Sequence, residues 1–468
     1  MKTMWILEKE SSMDRVFEIF EEIMGIPRES GNEAQIANYL VSFARKANLE
    51  VVKDKFNNIF IRKNNDSKRT IILQAHSDMV CVSNKGYDFE NKGIDYYIDG
   101  DYYKARDTSL GADDGIGVAI ILAMLEENIK LPNIEAMITT SEETSMEGAI
   151  NYNYGLLTGD TLISLDGIKE GDIESSTAGM CSLTLNKKLE FNKASAKSYK
   201  MVISNLAGGH SGDDIDKKRC NAIKLIAKFV SEIGNAALVD INAGEKDNVI
   251  PNFGYCTFNS YLDLDTINQK IKAINLDLMP DDKNIKIELC EVAATLQLAD
   301  SSSIIEFINE LEDGLIESFK DDNFPMLSSN IGKVAVFDKK LVVKVGIRSS
   351  DDEKLESQLN KIKLLADKYN FALSVDVNKP FLAFKEKSAI RGLLLDAYEE
   401  LFGKKAIIKK VHACMESGII FNNIKNLDIC TIAPTISDCH TIKEKVSISS
   451  TTRVYNWLKL ALQKYNAI

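Results

Sequence analysis

The chain has 468 residues, of which 45% are hydrophobic and 27% are charged, so it can form two or more domains with ordinary globular cores. Its 57 basic and 69 acidic side chains give a formal net charge of −12, which argues against a nucleic acid or an anionic membrane surface as a partner. Because no run of 18 apolar residues occurs and the eight cysteines form no CxxC pair, we expect a cytoplasmic protein with reduced thiols and no transmembrane helix.

The N-terminal third of the chain alternates between helical and strand patterns. Its predicted elements, in chain order, are helices at 13–25 and 33–47, a strand at 70–76, a helix at 116–127, and strands at 133–140 and 160–166. Strands that alternate with helices predict a mostly parallel sheet with helices on both of its faces.

The pattern changes at about residue 184 and returns at about 380. The intervening elements are strands at 198–204, 254–264, 284–292, 339–348 and 372–378, with helices near 217–234, 303–319 and 352–369. The last elements are a helix at 387–402, strands around 406–411 and 427–433, and a helix from 451. We therefore predict an α/β domain made of residues 1–183 and 380–468, interrupted by an inserted α+β domain of two lobes at 184–379.

Imidazole and carboxylate side chains follow the predicted strands of the first domain at the points where those strands end. They are His76 and Asp78 after the first strand, Glu142 and Glu143 after the second, Asp166 after the third, Asp113 and Asp114 in the GADDGIG segment, and His440 in PTISDCHTIKEK. Ligands of open α/β sheets bind beyond the carboxyl ends of the strands, so this edge is the expected site.

Neutral imidazoles and carboxylate oxygens are the ligands of a two-zinc centre, which needs one histidine and one carboxylate for each metal and a carboxylate that bridges them. The set that supplies this scheme is His76, Asp113, Glu143, Asp166 and His440. Asp78 is placed to accept the second ring N–H of His76, and Glu142 is left as a general base for the attacking water. Each motif alone also fits a helix cap, a turn or a solvated face, and only their joint order favours the metal site.

The order of the motifs resembles a known family. The motifs are HSDMV (76–80), GADDGIG (111–117), TTSEE (139–143), LDG (165–167), GGHSG (208–212), IRSS (347–350) and PTISDCH (434–440). The chain is thereby similar to the aminoacyl-histidine dipeptidases, also called Xaa-His dipeptidases or aminopeptidase D, and to the related cytosol non-specific dipeptidases. These are co-catalytic zinc peptidases with a lid domain inserted into the catalytic domain.

The resemblance implies a role for each matching metal ligand. His76 and Asp166 would bind one zinc, Glu143 and His440 would bind the other, and Asp113 would bridge the two ions. It also implies a cis peptide bond between Asp113 and Asp114. Mn²⁺ or Co²⁺ are the expected substitutes for Zn²⁺, because the ligand types alone do not distinguish these metals.

The resemblance also assigns the catalytic and substrate-binding positions. Asp78 would orient His76, and Glu142 would be the general acid and base. His210 in the lid would polarise the scissile carbonyl or stabilise the tetrahedral oxyanion. Asn221 and Arg348 would engage the C-terminal side of the substrate. The segment ACMESG (413–418) departs from a GLECG-like family segment but keeps Glu416 as a candidate substrate contact.

The implied activity is metal-dependent hydrolysis of dipeptides, with a preference for Xaa-His dipeptides, carnosine-like ones included, as the narrower expectation. The partners are then dipeptide substrates, and the protein is a monomer or a homodimer. An N-acyl amino-acid or carbamoyl hydrolase on the same scaffold, and a non-catalytic zinc-binding relative, stay open as alternatives. A Cys-His nucleophile from Cys414 or Cys439 would leave the carboxylates unexplained, and His412 is expected to be a buried histidine.

Overall fold

The computed structural model describes residues 14–194, 196–276, 278–294, 296–321 and 323–467. The chain divides into two units. The first unit comprises Met1–Ser176, Leu382–Lys410 and Glu416–Ile468, and the inserted unit comprises Thr177–Phe381 and Val411–Met415. None of the helices in the described part of the chain has both the length and the apolar character that a bilayer crossing requires.

An eight-stranded sheet forms the centre of the first unit. With strands numbered along the whole chain, its members are β1 (Glu50–Lys53), β2 (Ile59–Lys63), β3 (Thr70–His76), β6 (Asn133–Thr139), β7 (Thr161–Ser164), β8 (Asp172–Glu174), β22 (Ile407–Lys409) and β23 (Asp428–Thr431). The spatial order is β1-β2-β6-β3-β7-β23-β8-β22. The four central strands β6, β3, β7 and β23 run parallel, whereas β1 and β2 pair antiparallel at one edge.

Helices cover both faces of this sheet. They are α1 (14–24), α2 (Ala34–Lys46), α3 (Ala112–Glu126), α4 (Glu147–Asn151), α9 (Ala389–Phe402), α10 (Glu416–Asn423) and α11 (Ile448–Ala467). A smaller antiparallel sheet has the order β24-β25-β5-β4, formed by β4 (Tyr96–Asp99), β5 (Tyr102–Ala105), β24 (Ile436–Ser437) and β25 (Lys445–Ser447).

The alternation of side chains along β3 separates two apolar cores. Ile71 and Leu73 belong to the large core with α1, α2, α3, α9 and α11, whereas Ile72 between them belongs to a smaller core with Ile420 of α10. Successive side chains of a strand point to opposite faces, so the two cores lie on opposite faces of the sheet. The predicted α/β architecture, with a mostly parallel central sheet and helices on both faces, is confirmed.

Helix α3 is buried around its whole circumference. Of its 15 residues, only Asp113 and Glu126 are not buried. A helix that is apolar all round lies inside a core, and here it packs against β3. The burial fixes the N-terminal end of α3, and with it Asp113, next to the carboxyl end of β3.

The inserted unit contains a continuous antiparallel sheet of nine strands, in the order β16-β11-β15-β13-β19-β20-β9-β21, with β18 also paired to β19. Its members are β9 (Gly179–Lys188), β11 (Lys197–Ser204), β13 (Ala237–Gly244), β15 (Gly254–Ser260), β16 (Lys286–Val292), β18 (Gly314–Ser318), β19 (Pro325–Phe337), β20 (Lys340–Ser349) and β21 (Ala372–Lys379). Strands β13 and β19 pair between Asn242 and Ala335, so one sheet runs through both halves of the unit.

Two small ribbons and four helices complete the inserted unit. The ribbons are β10 (Phe191–Lys193) with β17 (Leu296–Leu298) and β12 (Gly209–His210) with β14 (Val249–Ile250). The helices are α5 (Ala222–Ile233), α6 (Leu264–Ala273), α7 (Ser301–Glu310) and α8 (Asp352–Lys368). They pack with the sheet around one apolar core.

The helix predicted at 303–319 is wrong in its second half. Helix α7 ends at Glu310, and β18 follows it, pairing Gly314 with Ser329 of β19. Apolar residues keep a helical spacing through this segment, but Gly314 adopts a positive φ of 91°, which favours glycine and interrupts the helix. The helix predicted from 217 begins at Ala222 instead, because Asn221 caps it.

Several strands carried no strand pattern in the sequence. Strand β1 is mostly exposed on both faces, and β19 contains the polar run Ser328, Ser329 and Asn330 among its buried residues. Apolar alternation predicts a strand only where one face is buried and apolar. Pairing with neighbouring strands therefore forms these elements where the local pattern does not.

We expect the core of the inserted unit to depend strongly on Phe307. Its ring is fully buried and stacks on Phe371 with centroids 4.0 Å apart. Phe307→Ala should lower the free energy of unfolding by about 3–5 kcal/mol, because it leaves a cavity in a packed core. Phe337→Ala, at a ring that is 76% exposed in the same unit, should change it by less than about 0.5 kcal/mol. Denaturant unfolding of both variants measures the difference, and equal losses would contradict this account of the core.

Candidate functional site

Three parallel strands bring their carboxyl ends to the same edge of the central sheet. In the register of β3 and β6, His76 lies opposite Thr139, and in that of β3 and β7, Gln74 lies opposite Ser164. The side chains that follow these strands, Glu142, Glu143 and Asp166, therefore meet His76 at one edge. This is the convergence that the sequence predicted, because parallel neighbours end together.

The five candidate metal ligands form two groups that share Asp113. In one group, His76 Nε2 lies 3.2 Å from Asp113 Oδ1 and 3.7 Å from Asp166 Oδ1. In the other, His440 Nε2 lies 3.3 Å from Asp113 Oδ2 and 2.8 Å from Glu143 Oε1. Within each group the ligand atoms all lie within 4.8 Å of one another. The two oxygens of Asp113 thus face two different sets of donors.

The donor chemistry fits divalent cations. Glu143 Oε1 is buried and lies 2.8 Å from His440 Nε2, yet it accepts no hydrogen bond of normal geometry. Two donor atoms this close, without a proton aimed between them, are arranged as ligands of a common ion. Imidazole nitrogens with carboxylate oxygens suit Zn²⁺ and related transition metals.

The pKa values of these clustered carboxylates also favour a bound cation. Burial, with Asp113 and Glu143 nearby, raises the pKa of Asp166 to about 7. Burial and the charge of Asp166 raise the pKa of Glu142 well above its usual value. Although burial opposes it, His440 and the other imidazole hold the pKa of Asp113 below its usual value. A carboxylate cluster with this mixture of protonation states is relieved by a positive ion.

The GADDGIG segment places Asp113 by its backbone. The peptide bond between Asp113 and Asp114 is cis, as the resemblance implied. Asp114 is buried, and its Oδ2 accepts a hydrogen bond from His76 N at 3.3 Å, which ties α3 to the end of β3. Any side chain at Gly117 would collide with the Asp114 carboxylate, and Gly111 has a φ of 73°. The glycines of the motif therefore serve this packing.

Glu444 holds the same loop from the other side, and the sequence did not identify it. Its Oε2 accepts from the backbone N–H of Leu110 and Gly111, and its Oε1 accepts from those of Ala112 and Asp113, at 2.8–3.3 Å. The side chain is buried. It follows His440 by four residues, and that spacing was the only signal in the sequence.

Asp78 organises two of the three strand ends. Its Oδ1 lies 3.4 Å from His76 Nδ1, and its carboxylate accepts from the backbone N–H of Glu142 and Glu143 at 3.1 and 3.3 Å. Ser30 Oγ donates to Asp78 Oδ2 at 2.8 Å. One buried carboxylate thus orients a histidine and fixes the turn that carries both glutamates.

Arg28 links the loops beneath the site, and no spacing in the sequence marks it. Its guanidinium donates to the carbonyl oxygens of Ser77 and Asp78 at 3.2 and 3.0 Å and also to Gly111 O. The side chain is fully buried, and burial lowers the pKa of Arg28. This arginine joins the loop after β3 to the loop before α3.

Glu416 lies at the N-terminus of α10, next to the ends of β3 and β6. Its Oε2 accepts from Gln74 Nε2 at 3.0 Å and from Thr139 Oγ1 at 2.5 Å. The side chain is fully buried, and burial raises the pKa of Glu416 to about 8. Glu416 thereby joins β3, β6 and α10 near the ends of the two strands.

The inserted unit brings His210 and Arg348 together. His210 Nε2 lies 3.4 Å from Arg348 Nη2, and Arg348 Nε donates to Ser211 Oγ at 3.4 Å. Arg348 is only 4% exposed, and among the described residues no carboxylate lies within ion-pair distance of its guanidinium. Burial lowers the pKa of Arg348. A buried guanidinium without a direct counter-ion is suited to an anionic ligand.

Asn221 lies elsewhere in the inserted unit, at the N-terminus of α5. Its Oδ1 accepts from Ile223 N at 2.9 Å, and its Nδ2 donates to Asp313 Oδ1 and Ile331 O at 2.9 and 3.0 Å. Both ends of the amide are therefore used within the unit. Asp313 is half-buried, and desolvation raises its pKa to about 6.

His412 is buried in the inserted unit, as the sequence led us to expect. Its Nε2 lies 2.8 Å from Ser328 Oγ. Burial, together with Arg348, lowers the pKa of His412 to about 3, so the ring is neutral at physiological pH. The contact with the serine hydroxyl explains His412 as a buried structural histidine. It gives no support to a Cys-His nucleophile pair.

The chain is similar to known dipeptidases over nearly its whole length. A cytosol non-specific dipeptidase from Escherichia coli is 30% identical over 473 residues, which cover 97% of this chain and 98% of that protein. The crystal structure of aminoacylhistidine dipeptidase from Vibrio alginolyticus is similar with a TM-score of 0.85 at 29% identity, covering 96% of each chain. No family model matches the chain.

A more distant structural likeness extends the fold alone. The crystal structure of a tripeptidase from Staphylococcus aureus matches with a TM-score of 0.59 at 16% identity. It covers 97% of this chain and 99% of that one. The architecture of a first unit with a large insertion is therefore shared beyond the more similar proteins.

We expect Glu444 to be essential for the Asp113 loop. Glu444→Ala would leave four backbone N–H groups without their acceptor, so it should lower the free energy of unfolding by about 3 kcal/mol or more. It should also weaken metal binding, because the same loop carries Asp113. Asp438→Asn is the matched control, since Asp438 is exposed and lies in the same segment. Thermal unfolding and metal titration of both variants test this, and a Glu444→Ala protein as stable as the control would contradict it.

Proposed function

This chain belongs to the family of metallopeptidases that includes the cytosol non-specific and aminoacyl-histidine dipeptidases, and we propose that it hydrolyses dipeptides by a two-zinc mechanism with Glu142 as the general base. The observation that carries the proposal is the shared position of Asp113 between two groups of ligands. One carboxylate that faces two sets of donors is the arrangement that a pair of co-catalytic ions requires.

We assign the ligands by the two groups. His76 and Asp166 would hold one zinc, Glu143 and His440 would hold the other, and Asp113 would bridge them. When bound, zinc supplies Lewis acidity, which lowers the pKa of water and polarises the peptide carbonyl. Mn²⁺ and Co²⁺ are accepted by the same donors, so the metal is to be decided by measurement.

Glu142 carries the proton transfers. Its carboxylate lies within 4.8 Å of ligand atoms of His76 and Glu143, but it belongs to neither of the two groups that share Asp113. Burial raises the pKa of Glu142, which favours the transfer of a proton from the attacking water to its carboxylate and then to the leaving amine. Asp78 keeps His76 and the Glu142 turn in place during this exchange.

The inserted unit supplies the contacts to the substrate. We propose that His210 donates a hydrogen bond to the oxyanion and that Arg348 binds the free carboxylate of the dipeptide in a bidentate pair. The support is their mutual contact and the lack, among the described residues, of a carboxylate that pairs directly with Arg348. We propose that Asn221, which holds α5 and Ile331, and Glu416, which fixes the strand ends, support the substrate contacts from these positions.

A free α-carboxylate bound by one arginine favours short peptides and accommodates a C-terminal histidine, the Xaa-His preference that the family resemblance implies. The alternative substrates on this scaffold, N-acyl and carbamoyl amino acids, carry the same carboxylate but no free amine. We further propose a cytoplasmic location, by likeness to the Escherichia coli cytosol dipeptidase. A monomer or a homodimer is the assembly that we propose.

Metal removal should abolish activity and lower stability together. Chelation should remove two ions per chain, measured by elemental analysis, and lower the melting temperature, because the carboxylates then lose their counter-charge. Zinc, with manganese and cobalt compared, should restore both. A panel of dipeptides, with Xaa-His and β-alanyl-histidine among them, and of N-acyl amino acids then defines the substrate. Full turnover by a verified metal-free sample would refute the mechanism.

The two adjacent glutamates should respond differently to the same change. Glu142→Gln should keep two metals per chain and lose at least about 10²-fold of kcat, because only proton transfer is removed. Glu143→Gln should bind about one metal, because it loses a ligand of one ion only. Each variant is the control for the other. Equal metal content in both, with an active Glu142→Gln enzyme, would show the roles to be misassigned.

A further inference from the structure

The backbone around His210 is fixed on both sides. His210 N donates to Asp214 Oδ2 at 2.9 Å, and Asp214 N donates to His210 O at 2.9 Å. Asp214 is held in turn by ion pairs with Lys217 and Arg219. In β12, His210 also pairs with Val249 of β14. The imidazole therefore projects from a backbone that hydrogen bonds hold in place.

The two ring nitrogens face groups of opposite charge. Nδ1 lies 3.3 Å from Asp213 Oδ2, and Nε2 lies 3.4 Å from Arg348 Nη2. A guanidinium can only donate, so Nε2 is the acceptor of that contact and the proton of the neutral ring is on Nδ1, where Asp213 accepts it. Gly212 N also lies 3.3 Å from Nδ1. The other tautomer would satisfy Gly212 alone and would oppose both Asp213 and Arg348.

We propose that Asp213 is a positioning residue for the reaction, which holds the Nδ1 proton of His210 and balances the charge of the ring when Nε2 donates to the oxyanion. This inference rests on the proposed role of His210. With Nδ1 already protonated, Nε2 can donate only if the ring takes a second proton. The carboxylate of Asp213 favours that imidazolium, as a carboxylate behind a catalytic histidine does in hydrolases.

The other titratable groups near the His210 ring either disfavour a positive charge on the ring or have little net effect on it. Arg348 disfavours a second positive charge, and Lys217 acts on Asp213 from the same turn. Asp214 is neutralised by its own ion pairs, and His412 is uncharged. The contact with His210 lowers the pKa of Asp213, which is therefore ionised at neutral pH. Because Asp213 is 71% exposed, solvent screens the pair and its effect is moderate.

The test is the pH dependence of Asp213→Asn. The imidazolium is lost as pH rises, and removing the carboxylate moves that loss to lower pH. We expect the alkaline limb of kcat/KM to shift down by roughly half a pH unit and kcat at pH 7.5 to fall about two- to fivefold, with KM little changed. Asp213→Glu should recover part of the loss. Asp216→Asn removes the same charge from an exposed position in the same turn and should behave as the wild type.

A double-mutant cycle separates this inference from the proposed function. His210→Ala should lower kcat by about 10²-fold or more with normal metal content, and Asp213→Asn should have no further effect in that background. If His210→Ala leaves kcat unchanged, the proposed role of His210 fails. If His210→Ala is impaired but Asp213→Asn matches the wild type, or acts equally in both backgrounds, only the inference about Asp213 is overturned.

A second measurement does not depend on turnover. The chain has only four histidines, so the ring signals of His210 can be assigned by NMR in selectively labelled protein. The ring nitrogen signals should show the proton on Nδ1 in the wild type and in Asp216→Asn, and a larger share of the Nε2-protonated ring in Asp213→Asn. The same tautomer distribution in Asp213→Asn as in the wild type would overturn the proposal.

Discussion

The carboxylate of Asp113 lies within 4.8 Å of those of Asp166 and Glu143, and like charges at this separation repel strongly in a buried site. Bound cations would relieve the repulsion, but the protein must bring the carboxylates together before any ion binds. The surrounding structure meets this need with donors that have no other task. They include backbone N–H groups that donate to the carboxylates of Asp78 and Glu444, and the guanidinium of Arg28, which donates to loop carbonyl oxygens.

The large core of the first unit provides the rigidity for this arrangement. Helix α3 is apolar on all sides, so its position follows from burial and leaves its polar N-terminus at the sheet edge. Parallel strands are joined by crossover connections, so the carboxyl ends of successive strands lie at the same edge of the sheet. The cooperative packing of β3, β6, β7 and α3 thus sets the distances between ligands that are far apart in the chain.

The inserted unit brings Arg348 and His210 together from separate strands. Its continuous antiparallel sheet carries Arg348 at the end of β20, while His210 lies in the short ribbon of β12 and β14. The two side chains meet through tertiary packing, and a buried arginine is held there by polar contacts with Ser211 and His210. Both residues lie in a unit that has its own apolar core, so their positions follow from packing inside that unit.

The sequence determined the parts that follow from local pattern and from the order of motifs. The alternation of apolar strands and helices predicted the parallel sheet, and the polar residues after each strand predicted His76, Glu142, Glu143 and Asp166 as neighbours. This worked because the carboxyl ends of parallel strands share an edge, whichever residues fill the core. The GADDGIG and PTISDCH motifs added Asp113 and His440, and resemblance supplied the positions in the inserted unit.

The tertiary structure alone decided which groups support the site. Glu444, Arg28 and Asp213 act through backbone or ring contacts that no periodicity records, because a hydrogen bond between distant segments leaves no local pattern. The same holds for the strand at Gly314–Ser318, where pairing with β19 and a positive φ outweigh a helical spacing of apolar residues. Only the fold, likewise, reveals that both ends of the Asn221 amide are used by α5 and its neighbours. The local sequence specifies which side chain stands at a position and what it can bind. Packing between distant segments decides which partner that side chain meets.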